Sequence, residues 1–124
     1  MTIYQQVLAK TGIPAQLKKM REECEELIQA IDAARGKITP EVAEELADVA
    51  IVAGVINASF YAPAIAAARR YKERRMRAFL RSGFKTWGQF KKRAYPGFAA
   101  KKDDMLAAVA AKIKAATAQK KGGK

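Results

Sequence analysis

The 124-residue chain is of single-domain length; half of it is apolar by count, but 26 of those residues are Ala, which favours packed helices over a sandwich or barrel. Its net charge of +12 is unevenly placed: residues 1–60 carry six Lys/Arg against nine Asp/Glu, and residues 61–124 carry eighteen against three. The absence of His and the single cysteine, Cys24, exclude Ser-His-Asp and Cys-His catalysis, imidazole-dependent zinc sites and an intrachain disulfide.

The first segment, residues 3–10, reads as a short helix closed by Gly12, with Pro14 placed to begin the next. Met1 to Gly12 lacks the cationic start and apolar core of a signal peptide, so the expected setting is cytoplasmic, in a bacterium or a phage-infected host cell. From residue 15 to 35, Leu17, Met20, Cys24, Leu27, Ile28 and Ile31 recur at spacings of three and four, predicting a helix with one buried face and a stop at Gly36. Thr39 then caps a further helix that has Pro40 in its first position and Glu41 in its first turn, with Val42, Leu46, Val49, Ala53 and Ile56 as its expected core face. Residues 49–68 carry no charge, but eight are Ala, and Gly54, Asn57, Ser59 and Pro63 interrupt the run. It reads as a buried helix, a break near Pro63 and a second helix over residues 64–81 rather than as a membrane span.

Beyond Ser82-Gly83 the periodicity loosens. Phe84, Trp87, Phe90, Tyr95 and Phe98 interleave with Lys85, Lys91, Lys92 and Arg93 up to Pro96-Gly97. A last helix is predicted over residues 101–119, with Asp103 and Asp104 in its first turn, before a frayed tail over residues 120–124. The expected organisation is a helical core over residues 1–82 and a basic, aromatic-containing helical extension over residues 83–124.

The chemistry concentrates in two acidic clusters, Glu22-Glu23-Cys24-Glu25-Glu26 and Glu44-Glu45-Leu46-Ala47-Asp48. A spacing of three puts Glu23 and Glu26, and likewise Glu45 and Asp48, on neighbouring turns of one helix face. On a helical wheel Glu45 projects between Val49 and Val52, and Glu23 borders the Met20/Cys24/Leu27 face, whereas Glu25 and Asp32 point away. Two such pairs facing one another across antiparallel helices make a four-carboxylate cage, which needs protonation or a cation; oxygen ligands alone select Mg²⁺ or Mn²⁺. The competing reading is of ordinary solvated helix charges.

These residues, with eighteen others between Glu26 and Glu45, resemble the E-E-x-x-E … E-x-x-D signature of the MazG-like, all-α nucleoside triphosphate pyrophosphohydrolases, phage-encoded and small bacterial members above all. The context is similar too: Gln16-Leu17 before the first cluster, Leu27-Ile28-Gln29-Ala30-Ile31 after it, and Val49 after the second. The resemblance covers about residues 13–60 and extends more weakly to about residue 80. It implies an all-α, MazG-like bundle with a basic C-terminal helical extension, assembled as a dimer or tetramer. The activity it implies is Mg²⁺-dependent cleavage of (d)NTPs to a nucleoside monophosphate and pyrophosphate. Glu23, Glu26, Glu45 and Asp48 would be the metal ligands, with Mn²⁺ an alternative metal, and Glu22 a further catalytic carboxylate that helps hold metal or orient water. Lys72 and Arg75, three apart on the following helix, would contact the substrate phosphates, with Arg69, Arg70, Arg74 and Arg77 as close competitors for that role and a solvated basic helix as the plainer reading.

Residues 83–124 depart from the minimal family pattern. Trp87 and Lys91 are candidate base or nucleic-acid contacts there, against the plainer reading of Phe84, Trp87 and Phe90 as a packing face. The rival function is therefore a nucleic-acid-binding or regulatory protein that uses its basic C-terminal half around a degenerate core.

Overall fold

The computed structural model describes residues 1–122, with the side chains of residues 94–96, 99 and 120–122 left out; the expectations for Tyr95 and for the tail lie outside the described residues. All regular structure among the described residues is helical: α1 (Ile3–Thr11), α2 (Ile13–Ala34), α3 (Pro40–Asn57), α4 (Ala62–Ser82) and α5 (Trp87–Gly122). Two compact units result, Met1–Ser59 and Phe60–Lys124. The boundary expected after residue 82 falls inside the second, at the loop between α4 and α5.

In the first unit the termini of the helices follow from local chemistry. The Gln5 N–H donates to Thr2 Oγ1 at 3.1 Å while the Thr2 N–H donates to Gln5 Oε1 at 2.8 Å, a reciprocal box that starts α1. Gly12, at φ 85°, ends α1 and admits Pro14 to the first turn of α2. Thr39 accepts from the Val42 N–H at 3.2 Å, so the predicted cap of α3 forms. Gln16, buried on α2, donates through Nε2 to Thr11 Oγ1 at 2.9 Å, which satisfies the amide and ties α1 to α2. α1 also packs on α3, where a β-carbon at Gly54 would lie 3.3 Å from Tyr4 Cε1.

The seam between α2 and α3 is rotated from the expected apolar faces. Gln16, Glu23 and Ala34 are the buried residues of α2, and Val42, Val52 and Val55 those of α3; Leu17, Ile28, Ile31 and Leu46 are exposed. The physical reason is that α2 carries two adjacent stripes, 16/20/23/27/30/34 and 17/24/28/31, and only one can meet α3. The seam takes the first, which carries the acidic residue Glu23.

In the second unit α4 and α5 pair as a hairpin. α4 begins at Ala62 with Pro63 inside its first turn, so the interruption of the uncharged run falls at residues 58–61, just before Pro63. No helix among the described residues is long and apolar enough to cross a membrane. α5 runs unbroken where a stop at Pro96-Gly97 was expected, and Asp103 and Asp104 lie mid-helix rather than in a first turn. One continuous stripe explains this: Phe90, Met105 and Ala116 are all buried at helical spacing, so the packing face on the two sides of Pro96 is in register. Phe79 of α4 stacks on Trp87 with centroids 4.4 Å apart, and Phe90 meets both rings edge-on. Phe90 is thus core, as the packing reading expected, while Phe84 lies in the loop before α5 and is half-buried.

Val52 is 1 % exposed at the centre of the first unit. Val52→Ala is expected to lower the unfolding free energy by roughly 2–3 kcal/mol through lost burial and a residual cavity. Leu46→Ala, on the exposed side of the same helix, should cost under about 1 kcal/mol, and urea denaturation of the two variants measures the contrast.

Candidate metal centre

Glu23 and Glu26 of α2 and Glu45 and Asp48 of α3 come together as the wheel predicted. Each offers one carboxylate oxygen, and these four oxygens lie within 4.8 Å of one another, so the cluster could hold a metal ion. An all-oxygen donor set at that spacing is of the kind that would hold a hard divalent cation.

Burial makes the cluster expensive without a counter-charge. Glu23 is only 8 % exposed, Glu45 is half-buried, and Glu26 reaches solvent. Lys19, one turn earlier on α2, donates to Glu23 Oε1 at 3.2 Å. The second oxygens, Glu23 Oε2 and Glu45 Oε2, are buried and have no hydrogen-bond partner. Such orphaned acceptors are uncommon, because a buried polar atom without a partner keeps its desolvation cost. The negative charges of Glu23 and then Glu45, with a smaller contribution from burial, hold the Glu26 carboxyl above its ordinary range.

Next to the cluster is a groove of about 400 Å³ whose walls include Glu26, Gln29, Thr39, Glu41 and Glu45. Glu41, which in the sequence precedes the second acidic cluster in the first turn of α3, lines the same recess. Lys19 was not foreseen as a member of the site, although its spacing of four from Glu23 is the signal that finds it. Glu22 is exposed on α2 and is not one of the four clustered carboxylates. Glu25 and Asp32 are exposed, as the wheel required.

The remaining candidates, Lys72, Arg75, Trp87 and Lys91, belong to the second unit. Lys72 Nζ and the Arg75 guanidinium each lie 5.9 Å from the ring of Tyr71, and the Arg75 guanidinium is also 5.9 Å from the Trp87 ring. Trp87 has its ring packed against Phe79 yet is 40 % exposed, and Lys91 is exposed. Tyr71, unremarked in the sequence within a run of basic residues, is the organising side chain of this group. A scan of protein-family models finds no match to the chain, and neither the curated proteins nor the solved structures give one.

The elevated Glu26 value fixes a sign. Its favourable contribution to folding is complete below the ordinary value of 4.5 and is lost as pH rises through the higher folded value, above which the ionised group opposes folding. With divalent cations chelated, Glu26→Gln should melt close to the wild type at pH 4.5 and above it near neutrality. Added Mg²⁺ should raise the melting temperature of the wild type more than that of the variant, and thermal unfolding at the two pH values reads both effects.

Proposed function

We propose that the chain is a divalent-cation-dependent nucleoside triphosphate pyrophosphohydrolase with a MazG-like helical core, converting (d)NTPs to (d)NMPs and pyrophosphate. The observation that carries this reading is the convergence of Glu23, Glu26, Glu45 and Asp48 from two consecutive helices, with two buried carboxylate oxygens left without a partner. The signature resemblance read from the sequence adds the reaction class.

Glu23, Glu26, Glu45 and Asp48 would hold Mg²⁺, or Mn²⁺ in its place. When bound, the cation supplies charge neutralisation for the triphosphate and a lowered pKa for water. Lys19 restrains Glu23 and offsets part of the cluster's charge. The adjoining groove is large enough to admit part of a nucleotide, and Gln29 and Thr39 give it uncharged polar groups beside the carboxylates. Glu22, next to Glu23 and open to solvent, is the carboxylate proposed to accept a proton from the attacking water. Attack at the α-phosphorus breaks its bond to the bridging oxygen, and pyrophosphate leaves. The exposed apolar residues Leu17, Ile28, Ile31 and Leu46 support assembly with further copies of the chain.

A panel of (d)NTPs assayed for pyrophosphate with Mg²⁺, with Mn²⁺ and with chelator tests the reading. Metal-dependent pyrophosphate release is expected, falling by at least about a hundredfold in Glu45→Gln and Asp48→Asn, since loss of a ligand exceeds the effect of losing a supporting contact. Both variants should keep the wild-type helical circular dichroism. Release of orthophosphate in place of pyrophosphate, or full activity in both variants, would sink the proposal.

A further inference from the structure

The second unit holds a cluster of charge that the carboxylate chemistry does not use. Tyr71 is 2 % exposed, yet its hydroxyl has no hydrogen-bond partner, and Arg75 Nε is likewise buried and unpartnered. The two stand together: the Arg75 guanidinium lies 5.9 Å from the Tyr71 ring and 5.9 Å from the Trp87 ring, held between aromatic side chains instead of by a carboxylate. Lys72 Nζ approaches the same Tyr71 ring at 5.9 Å. Burial, and then the charges of Arg75, Lys102 and Lys91, press the Lys72 ammonium below its ordinary range. Arg69–Glu73 is the one ion pair of this unit among the described residues, so none of these four has an acidic partner there. Two buried donors without acceptors, ringed by uncompensated cations, are complementary to an oxyanion.

A single phosphate would need only those residues, but the cations continue. Arg70 and Arg74 of α4 and Lys101 and Lys112 of α5 line a recess of about 470 Å³, with Asp104 its only acid. From Lys91 to Lys112, α5 rises about 32 Å at about 1.5 Å per residue, a length that spans several phosphates of a strand. The cations of Arg70, Arg74, Lys101 and Lys112 line a recess along a helix pair, which suits a strand better than a flat headgroup surface. We propose that the α4–α5 unit binds a nucleic-acid strand, one backbone phosphate reaching the Tyr71 hydroxyl and Arg75 Nε once the side chains that cover them move aside, and the cations of both helices following the rest. This site is independent of the carboxylate cluster and stands whether or not the pyrophosphohydrolase reading does.

The test is fluorescence anisotropy of the full chain with a labelled single-stranded oligonucleotide of about 20 nucleotides, titrated over a salt series. The dissociation constant should rise at least about tenfold between 50 and 200 mM salt. Tyr71→Phe removes only the unpartnered hydroxyl, so it should weaken binding by about threefold to tenfold with no fall in melting temperature. The pair Arg70→Glu with Lys101→Glu should weaken it further and flatten the salt dependence, while Glu45→Gln should bind as the wild type does. Wild-type affinity in both second-unit variants would overturn the proposal, as would loss of binding in Glu45→Gln. Two competitors separate the sources of phosphate: tripolyphosphate displacing the strand at the strand's own concentration, or anionic phospholipid vesicles captured in preference with the same variant dependence, would overturn it in favour of a free phosphate or a membrane.

Discussion

Four carboxylates held within 4.8 Å of one another at the α2–α3 seam set the terms on which the first unit folds. Like charges at that distance repel, and the partial burial of Glu23 and Glu45 removes the water that would screen them. The surrounding packing holds them there anyway. Val42, Val52 and Val55 of α3 and Ala34 of α2 are buried along the same helix pair, Thr39 fixes where α3 begins, and the Gln16–Thr11 hydrogen bond steadies the start of α2. The apolar contacts supply the stability and the carboxylates draw on it, as in a cluster that could hold a metal ion.

The second unit shows the same arrangement with the opposite sign. Tyr71, Phe90, Met105 and Ala116 form its buried stripe, and Tyr71 and Arg75 carry buried donors without acceptors. An orphaned acceptor calls for a cation or a proton; an orphaned donor calls for an anion or a lone pair. The uneven placement of charge along the sequence thus corresponds to two folded units, each with buried polar atoms that its own side chains leave unsatisfied.

Much of the first site was legible in the sequence because it depends on short-range periodicity. The spacing of three within each acidic pair, the position of Glu45 between Val49 and Val52 on the wheel, and the Thr39-Pro40 helix start are local features, and they survive folding. What failed was non-local. Leu17, Ile28 and Ile31 made one stripe and Met20, Glu23 and Leu27 another, and only the partner helix decides which is covered. The Phe79–Trp87 stack joins residues on either side of a turn, which no single-helix pattern reveals. α5 overrides the Pro96-Gly97 stop because its face against α4 stays in register, a tertiary gain that outweighs local propensity.

Trp87 is the only tryptophan in the sequence, and it sits in the second unit, packed on Phe79 and beside Arg75. Tryptophan emission from the native chain therefore comes from the α4–α5 hairpin, whereas far-ultraviolet circular dichroism sums over both units. The second unit can thus be followed by its own optical signal in the unlabelled protein, and a divergence of that melting curve from the one for the whole chain would separate the cooperative transitions without cutting the chain.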